Sequence, residues 1–302
     1  MVSSTRVPLV IALLGPTASG KTELGIALAQ ALDLAVLSVD SRQLYRHMDI
    51  GTAKPTPEQR SQARHELLDL RNPDDPITLQ TFRDLALAAI NAEHRRRGVA
   101  LLVGGSGLYL QALTQGLEPP AVAPQPELRE QLSRLGQAHC RAVLSQVDPI
   151  AAARIMPNDA VRTLRALEVY YATGRPLSGL RNRTAPPWTV LELGLNPPDL
   201  HQRIRLRTTD LYDRGLVEET AGLLDAYGED CALLDTIGYG EARRLLKGSL
   251  GRAEAIALTA QRTRQFAKRQ RTWFRRQHQP IWLEPAGSPL QEALHRIEQA
   301  LG

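Results

Sequence analysis

Residues 15–22 read GPTASGKT and directly follow an apolar run at 7–14. The spacing G-x-x-x-x-G-K-T, between an apolar run and a helical pattern, is typical of a loop that binds phosphate. Successive backbone N–H groups would attract the anion, Lys21 would neutralise its charge, and the Thr22 hydroxyl would ligate Mg²⁺. We therefore predict a diphosphate or nucleotide site with Mg²⁺ as cofactor and Thr22 as metal ligand, formed by Gly15, Pro16, Thr17, Ala18, Ser19, Gly20, Lys21 and Thr22. The simple alternative is a Gly-Pro turn with a solvated lysine.

Two further apolar runs end in residues with functional potential. The run 34–40 ends on Asp40, and the run 99–105 leads through Gly104 and Gly105 into Ser106. If the runs are parallel strands, their carboxyl ends meet at one edge of a sheet, where ligands bind. Asp40 is the only carboxylate that directly ends one of these early runs, so it is a candidate metal-side carboxylate or general base. It could equally brace a loop.

The elements that carry these residues alternate between strand and helix. Residues 23–33 have leucines at helical spacing, and Thr56 with Gln59 forms a capping box around Pro57. A long helix is predicted from a cap at Thr78 to a stop at Gly98. Alternation of this kind predicts a parallel sheet with right-handed crossovers, and hence an α/β, P-loop NTPase-like three-layer sandwich.

A change of composition divides the chain. Residues 119–126 are rich in proline, residues 127–173 are helical with no strand pattern, and strand character returns at 188–195 and 280–284. We therefore predict a P-loop α/β core from residues 1–120 and 184–302, which includes a basic C-terminal helix. Residues 121–183 are expected to form an all-helical insertion domain.

Charge and composition narrow the class of protein. The chain has 302 residues, 43% of them hydrophobic, and a net charge of +5. Residues 259–277 carry seven cations and no acid, with Phe266, Trp273 and Phe274 among them, which suits either a solvated helix face or a polyanion with bases that stack. No apolar run approaches the roughly 18 residues that span a bilayer, so we expect a cytoplasmic protein without membrane contact. Cys140 and Cys231 lie too far apart in sequence to indicate a disulfide framework or a zinc site.

Several blocks in order resemble one family. The loop GPTASGKT is followed by SVDSRQLYRHMDIGTAKP at 38–55, GGSGLYLQAL at 104–113, PNDAVRTLRALEV at 157–169, TIGYGE at 236–241 and AKRQRTWFRR at 267–276. Together they resemble the bacterial tRNA dimethylallyltransferase family over nearly the whole chain. The resemblance implies that the loop holds the pyrophosphate of dimethylallyl diphosphate. The dimethylallyl group would pass to N6 of adenosine 37 in tRNAs that read codons beginning with U, and pyrophosphate would be released.

The resemblance also implies a role for each catalytic residue. Asp40 would remove the proton from N6, a poor nucleophile, as the new bond forms. Lys21 would stabilise charge on the departing pyrophosphate, together with the loop amides and Mg²⁺. Ser106, where the family more often has threonine, would keep a hydroxyl for positioning the substrate. The alternative for Ser106 is a small residue in a tight turn.

The RNA contacts implied by the resemblance to the family lie on both predicted domains. The target base must leave its stack to reach a buried donor carbon. The implied contacts with the tRNA anticodon stem-loop are Asp40, Ser41, Arg42, Gln43, Ser106, Arg129, Arg162, Arg165, Gly238 and Tyr239. The arginines could instead be solvated, and Tyr239 could belong to the core, as we expect of Trp273. Gly240 stands where the family commonly has a lysine or arginine, which places one RNA contact in doubt.

Three other functions remain possible on sequence alone. A P-loop kinase for a small metabolite would need an arginine-bearing lid, for which Arg162, Arg165, Arg175 and Arg181 are candidates. A prenyltransferase could use free AMP or ATP as acceptor, although the basic helix and the insertion would then be superfluous. An RNA-binding protein with a relic loop would not need Lys21, Thr22 and Asp40. We expect a monomer, because the sequence shows no exposed apolar stripe.

Overall fold

The computed structural model describes residues 7–180, 182–284 and 287–302, and the chain forms two compact units. The larger unit comprises Met1–Thr114 and Pro186–Gly302, and the smaller one Gln115–Ala185. The strands of the described residues are β1 (Leu9–Leu14), β2 (Val36–Val39), β3 (His65–Glu66), β4 (Val99–Gly104), β5 (Leu117–Glu118), β6 (Asn182–Arg183), β7 (Thr189–Gly194) and β8 (Ile281–Trp282).

The larger unit is built on one parallel sheet. Its strand order is β3-β2-β4-β1-β7-β8, and every neighbouring pair is parallel. Six consecutive residues of β1 are buried because the strand lies inside the sheet and both of its faces are covered. The expectation of a mixed α/β fold with a parallel sheet is therefore confirmed.

Helices cover both faces of the sheet. They are α1 (Lys21–Leu32), α2 (Pro57–Gln62), α3 (Leu79–Arg97), α4 (Gly107–Thr114), α9 (Leu200–Asp213), α10 (Leu216–Tyr227), α11 (Tyr239–Leu246), α12 (Arg252–Gln277) and α13 (Pro289–Leu301). Val10 and Ala12 of β1 pack with Phe82 of α3 on one face. Leu9 and Ile11 pack with α1 and α13 on the other.

Several local predictions are correct in detail. Thr56 and Gln59 form a complete capping box at the start of α2. Thr78 caps α3 and Gly98 ends it in the left-handed conformation. The sequence did not indicate β3, which has only two residues, or α13, whose buried residues Ala293 and Ile297 are spaced like one face of a helix.

The smaller unit is mostly helical. Its helices are α5 (Pro126–Arg134), α6 (Gln137–Val147), α7 (Pro149–Arg154) and α8 (Ala160–Thr173), around a core that includes Leu144, Ala166 and Leu167. The expectation of an all-helical insertion at 121–183 is wrong in one respect: β6 pairs antiparallel with β5 in a two-stranded ribbon. Each strand has only two residues, which is too short for the alternation that marks a strand in sequence.

The three runs identified from the sequence become β1, β2 and β4 of the sheet. The loop 15–20 follows β1, Asp40 follows β2, and Gly105 with Ser106 follows β4. Because these strands are parallel, all three segments lie at the carboxyl edge of the sheet. In the described part of the chain, no helix is both long enough and apolar enough to cross a membrane.

Candidate active site

The phosphate loop leads directly into α1. Gly20 takes the left-handed conformation, with φ 91°, which few other residues adopt easily, and α1 starts at Lys21 without a side-chain cap. The first N–H groups of the helix therefore remain available to an anion. Inside the loop, the ammonium group of Lys21 donates to the carbonyl oxygen of Pro16 at 2.7 Å and to Ser19 Oγ at 3.4 Å.

A second cation stands beside the loop lysine. Burial, with repulsion from Arg207, lowers the pKa of Lys21 to about 7, although Asp40 and Glu23 oppose the shift. Arg207 is a half-buried residue of α9, and burial also lowers its pKa. Two cations are thus held close together, and none of the described carboxylates, Asp40 and Glu23 included, forms an ion pair with either of them, so both can bind a polyanionic ligand. Nothing in the sequence distinguishes Arg207 as part of the site, because α9 carries two other arginines.

The turn after β2 is braced by hydrogen bonds. Asp40 Oδ1 accepts the backbone N–H of Arg42 at 2.9 Å, so the carboxylate also braces its own loop. Ser106 Oγ accepts the backbone N–H of Ser41 at 2.9 Å and donates to Ser41 Oγ at 3.3 Å. The Ser106 hydroxyl therefore ties the end of β4 to the Asp40 turn.

The phosphate loop, the Asp40 turn and the loop after β4 line one cavity of about 490 Å³. Many of the residues implied by the resemblance line it, namely Thr17, Ala18, Lys21, Thr22, Asp40, Ser41, Arg42, Gln43, Ser106, Gly238 and Tyr239. Gly15 and Pro16 are buried in the loop, while Ser19 and Gly20 line a neighbouring cavity with Lys21 and Thr22. The parallel strands and the helices packed on them thus bring together residues that are more than 200 positions apart in the chain, such as Lys21 and Tyr239.

Three residues expected to contact RNA have internal partners instead. Gln43 Oε1 accepts the Ser38 hydroxyl at 3.0 Å, and its Nε2 donates to the Ala53 carbonyl at 3.2 Å. Tyr239 is 1% exposed and donates its hydroxyl to Glu219 at 2.6 Å, and the backbone N–H of Gly238 donates to Glu241 at 2.7 Å. The expectation that Tyr239 offers a stacking face is therefore corrected: its ring is covered, and burial raises the pKa of its hydroxyl, as does neighbouring Glu219.

Gln270 of the basic helix contacts the phosphate loop directly. Its Oε1 accepts the backbone N–H of Thr17 at 2.9 Å, and its Nε2 donates to the carbonyl oxygen of Gly105 at 2.9 Å. A Cβ at Gly105 would lie only 2.5 Å from that Nε2, so the close approach depends on glycine. Gln270 therefore joins two loops of the site to α12. The side chain of Trp273 packs against the core, as expected.

The three arginines of the smaller unit have carboxylate partners. Glu168, with 0% of its surface exposed, accepts two hydrogen bonds from Arg129, at 2.7 and 2.8 Å, and another from Arg165. Arg162 pairs with Asp159 at 2.9 Å and is 64% exposed. Because a buried carboxylate must be neutralised, Arg129 and Arg165 have a role in the fold of the smaller unit. Their side chains are still 40% and 29% exposed, and their contact with RNA stays a prediction. Arg181 lies outside the described residues.

The comparisons with known proteins agree with one another. The family model described as IPP transferase matches residues 43–277. A protein of Parasynechococcus marenigrum (strain WH8102) named tRNA dimethylallyltransferase is 64% identical, with 97% of this chain and 98% of that protein covered. This chain belongs to the IPP transferase family.

Solved structures of IPP transferases share this fold. The full-length tRNA isopentenylpyrophosphate transferase of Bacillus halodurans is 34% identical, with a TM-score of 0.72 and 97% of each chain covered. A eukaryotic dimethylallyltransferase described as acting on tRNA is 28% identical, with a TM-score of 0.80, covering 97% of this chain and 78% of that one. The chain is therefore a transferase enzyme, and membership of the family removes the kinase and the relic RNA-binding protein from consideration.

The donor set of this IPP transferase fits a magnesium ion. The Thr22 hydroxyl and the Asp40 carboxylate line the same cavity, and oxygen ligands of this kind suit Mg²⁺. The described residues contain no group of three or more His, Cys, Asp or Glu able to hold a metal alone. A Mg²⁺ ion here would therefore take its remaining ligands from diphosphate oxygens and water, as is usual at phosphate loops.

Proposed function

We propose that this IPP transferase moves a dimethylallyl group from dimethylallyl diphosphate to N6 of adenosine 37 in tRNAs that read codons beginning with U. The products are pyrophosphate and N6-isopentenyladenosine. The observation that carries the proposal is a single cavity, lined by the phosphate loop on one side and the Asp40 turn on the other. Such a cavity can hold a diphosphate leaving group against a nucleophile that loses a proton.

The diphosphate end of the donor would lie on the loop. The backbone N–H groups at the start of α1, Lys21 and Arg207 would stabilise the negative charge that grows as the C–O bond breaks. Bound Mg²⁺, held by Thr22 with Asp40 nearby, would supply further charge neutralisation. The loop thus holds a group that is discarded, and no water needs to be positioned for hydrolysis.

Asp40 would act on the acceptor. One of its oxygens accepts the Arg42 N–H, and the other is left to act on the acceptor. The carboxylate would accept the N6 proton as nitrogen attacks the allylic carbon, a contribution of about 10²–10⁴-fold for a well-placed base. Ser106 would hold this turn in place through Ser41, and so acts as a positioning residue.

RNA binding is proposed for the exposed cations of both units. Arg42 and Arg269 border the cavity and are exposed, and Arg162 of the smaller unit keeps most of its side chain in solvent. Other residues would support RNA binding indirectly, because they are hydrogen-bonded within the protein. They are Arg129 and Arg165, which bind Glu168, Gln43, which binds the Ala53 carbonyl, and Tyr239, which binds Glu219. We propose that the enzyme acts as a monomer on the anticodon stem-loop.

The experiment follows a radiolabelled dimethylallyl group. The enzyme, donor and Mg²⁺ are incubated separately with an unmodified anticodon stem-loop that carries adenosines at 36, 37 and 38, with the same RNA carrying guanosine at 37, with AMP and with ATP. Label on the first RNA alone supports the proposal. Label on AMP or ATP would instead indicate a free-nucleotide acceptor. Label on the RNA with guanosine at 37 would show that the acceptor is a nucleotide other than the one at position 37.

A further inference from the structure

One face of α12 forms part of the cavity wall. The residues of this helix that line the cavity are Thr259, Arg262, Thr263, Phe266, Arg269 and Gln270. Their separations of three, four, seven, ten and eleven positions from Thr259 are those of a single helical face. The wall is therefore continuous over about three turns.

The two ends of this face are buried and already occupied. Thr259 is hydrogen-bonded to the Tyr212 hydroxyl at 2.9 Å, and Gln270 is bound to the loop and to Gly105. Between them, Phe266 is 38% exposed, whereas Phe274 on the same helix is fully buried. Isolated exposed apolar residues are ordinary, so the exposure of Phe266 gains meaning only from its place on the cavity wall.

A cation accompanies the exposed ring. The guanidinium carbon of Arg269 lies 5.8 Å from the centre of the Phe266 ring. One turn earlier, the Arg262 guanidinium is held by Glu241, whose side chain is buried. An aromatic face flanked by arginines is the combination on which single-stranded nucleic acids stack their bases.

The position of Phe266 indicates which base would stack there. Phe266 precedes Gln270 by four residues, about 6 Å along the helix axis, and Gln270 touches the phosphate loop. That separation is close to one or two stacked nucleotides. A base on Phe266 would therefore belong to a direct neighbour of the nucleotide whose base enters the cavity.

We propose that Phe266, with Arg269, is a stacking site for the base of a nucleotide next to the target adenosine, at position 36 or 38. The inference rests on the proposed function, since it requires RNA in this cavity. Stacking engages the flat face that every base has, so the site would favour an unpaired neighbour and discriminate weakly among the four bases.

The test compares variants that differ in the aromatic face. Phe266→Leu keeps bulk and helix propensity but removes the face, and Phe266→Trp keeps the face. We expect Phe266→Leu to raise KM for the stem-loop about 5- to 100-fold while KM for the donor stays within about twofold. Phe266→Trp should remain close to wild type. Leu246→Ala, at another exposed apolar residue that does not line the cavity, is the matched control.

A second arm removes the partner base. Stem-loops with an abasic site at 36 or at 38 are assayed with wild type and with Phe266→Leu. At the position that stacks, the abasic site should raise the KM of wild type for RNA by about as much as Phe266→Leu does. The same abasic site should raise the KM of Phe266→Leu little further. The proposal is wrong if Phe266→Leu leaves KM for RNA unchanged, if Phe266→Trp loses as much as Phe266→Leu, or if both abasic penalties are equal in the two enzymes. Absence of transfer by wild type would contradict the proposed function itself, a different result from each of these.

Discussion

The cavity of the larger unit and the helical cluster of the smaller unit use their cations in opposite ways. Around the phosphate loop, Lys21 and Arg207 repel each other, and neither forms an ion pair with another of the described residues. In the smaller unit, Arg129 and Arg165 share the buried carboxylate of Glu168. Cations that lack an ion-pair partner can bind an anionic ligand, whereas arginines paired with a buried carboxylate stabilise the fold around it.

The difference matters for any assignment made from sequence. Lys21 and Arg165 occur in blocks that resemble the family, whereas Arg207 lies outside every such block. Spacing cannot show whether a carboxylate three residues away on the same helix, such as Glu168 beside Arg165, lies underneath the cation or elsewhere. The following changes should separate the two uses of charge, beginning with the largest expected effect.

Asp40→Asn should reduce kcat by roughly 10²–10⁴-fold, because an amide cannot accept the N6 proton. It can still accept the Arg42 N–H, so the turn should stay in place. Single-turnover rates at saturating donor and RNA measure the effect, and RNA affinity measured separately should change little. Normal turnover at saturation, with weakened RNA binding, would remove Asp40 from the base role.

Glu168→Gln should destabilise the smaller unit by about 2–3 kcal/mol, less than a fully buried pair would cost, because both arginines remain partly exposed. Burial opposes the charge of Glu168, but hydrogen bonds from Arg129, Gln125 and Arg165 outweigh it and hold its pKa below the usual range. Its stabilising effect is therefore present at neutral pH and lost as pH falls below about 4. Denaturant unfolding measures the loss, with exposed Glu130→Gln as the control. Equal stability of the two variants would contradict the structural role.

The pKa of about 7 for Lys21 predicts a pH dependence of donor binding. Because that pKa is lowered, the lysine loses its charge as pH rises through 7, and attraction for the diphosphate weakens. Donor affinity in the absence of RNA should fall roughly tenfold between pH 7 and pH 8.5. Lys21→Arg, which stays charged, should bind donor with little change over that range. A wild-type profile as flat as that of the arginine variant would show that Lys21 keeps its proton throughout.

Gln270→Ala should raise KM for the donor about tenfold, because the Thr17 N–H and the Gly105 carbonyl lose their shared partner. Gln265→Ala, an exposed position on the same helix, is the matched control. Initial rates at varied donor concentration and saturating RNA measure the change. Equal donor KM values for the two variants would show that the loop keeps its shape without Gln270.

Much of the sheet and of the phosphate loop could be predicted from local pattern. The run 9–14 is continuously apolar because β1 is buried on both faces. The glycines at 15 and 20 have the spacing that a phosphate-binding loop requires between a strand and a helix. Two-residue strands such as β3 and β6 carry no such pattern. Each is a strand only because it pairs with a neighbour, β3 with β2 and β6 with β5.

The remaining parts of the site depend on contacts that are distant in sequence. Gln270 lies 253 positions from Thr17, and Tyr239 is covered because its ring packs under Gly51 and its hydroxyl meets Glu219. Nothing in the block TIGYGE distinguishes a buried tyrosine from one that stacks on RNA. Only tertiary packing decides between these roles, which is why the block located the site but did not assign Tyr239.

The central claim is that the phosphate loop holds a leaving group. The most direct test is to quantify pyrophosphate, orthophosphate and modified adenosine together in one reaction of enzyme, Mg²⁺, dimethylallyl diphosphate and stem-loop RNA. We expect one pyrophosphate for each N6-modified adenosine 37, no release without RNA and no orthophosphate. Orthophosphate release, or pyrophosphate release that continues without RNA modification, would show that the loop supports hydrolysis and would contradict the account.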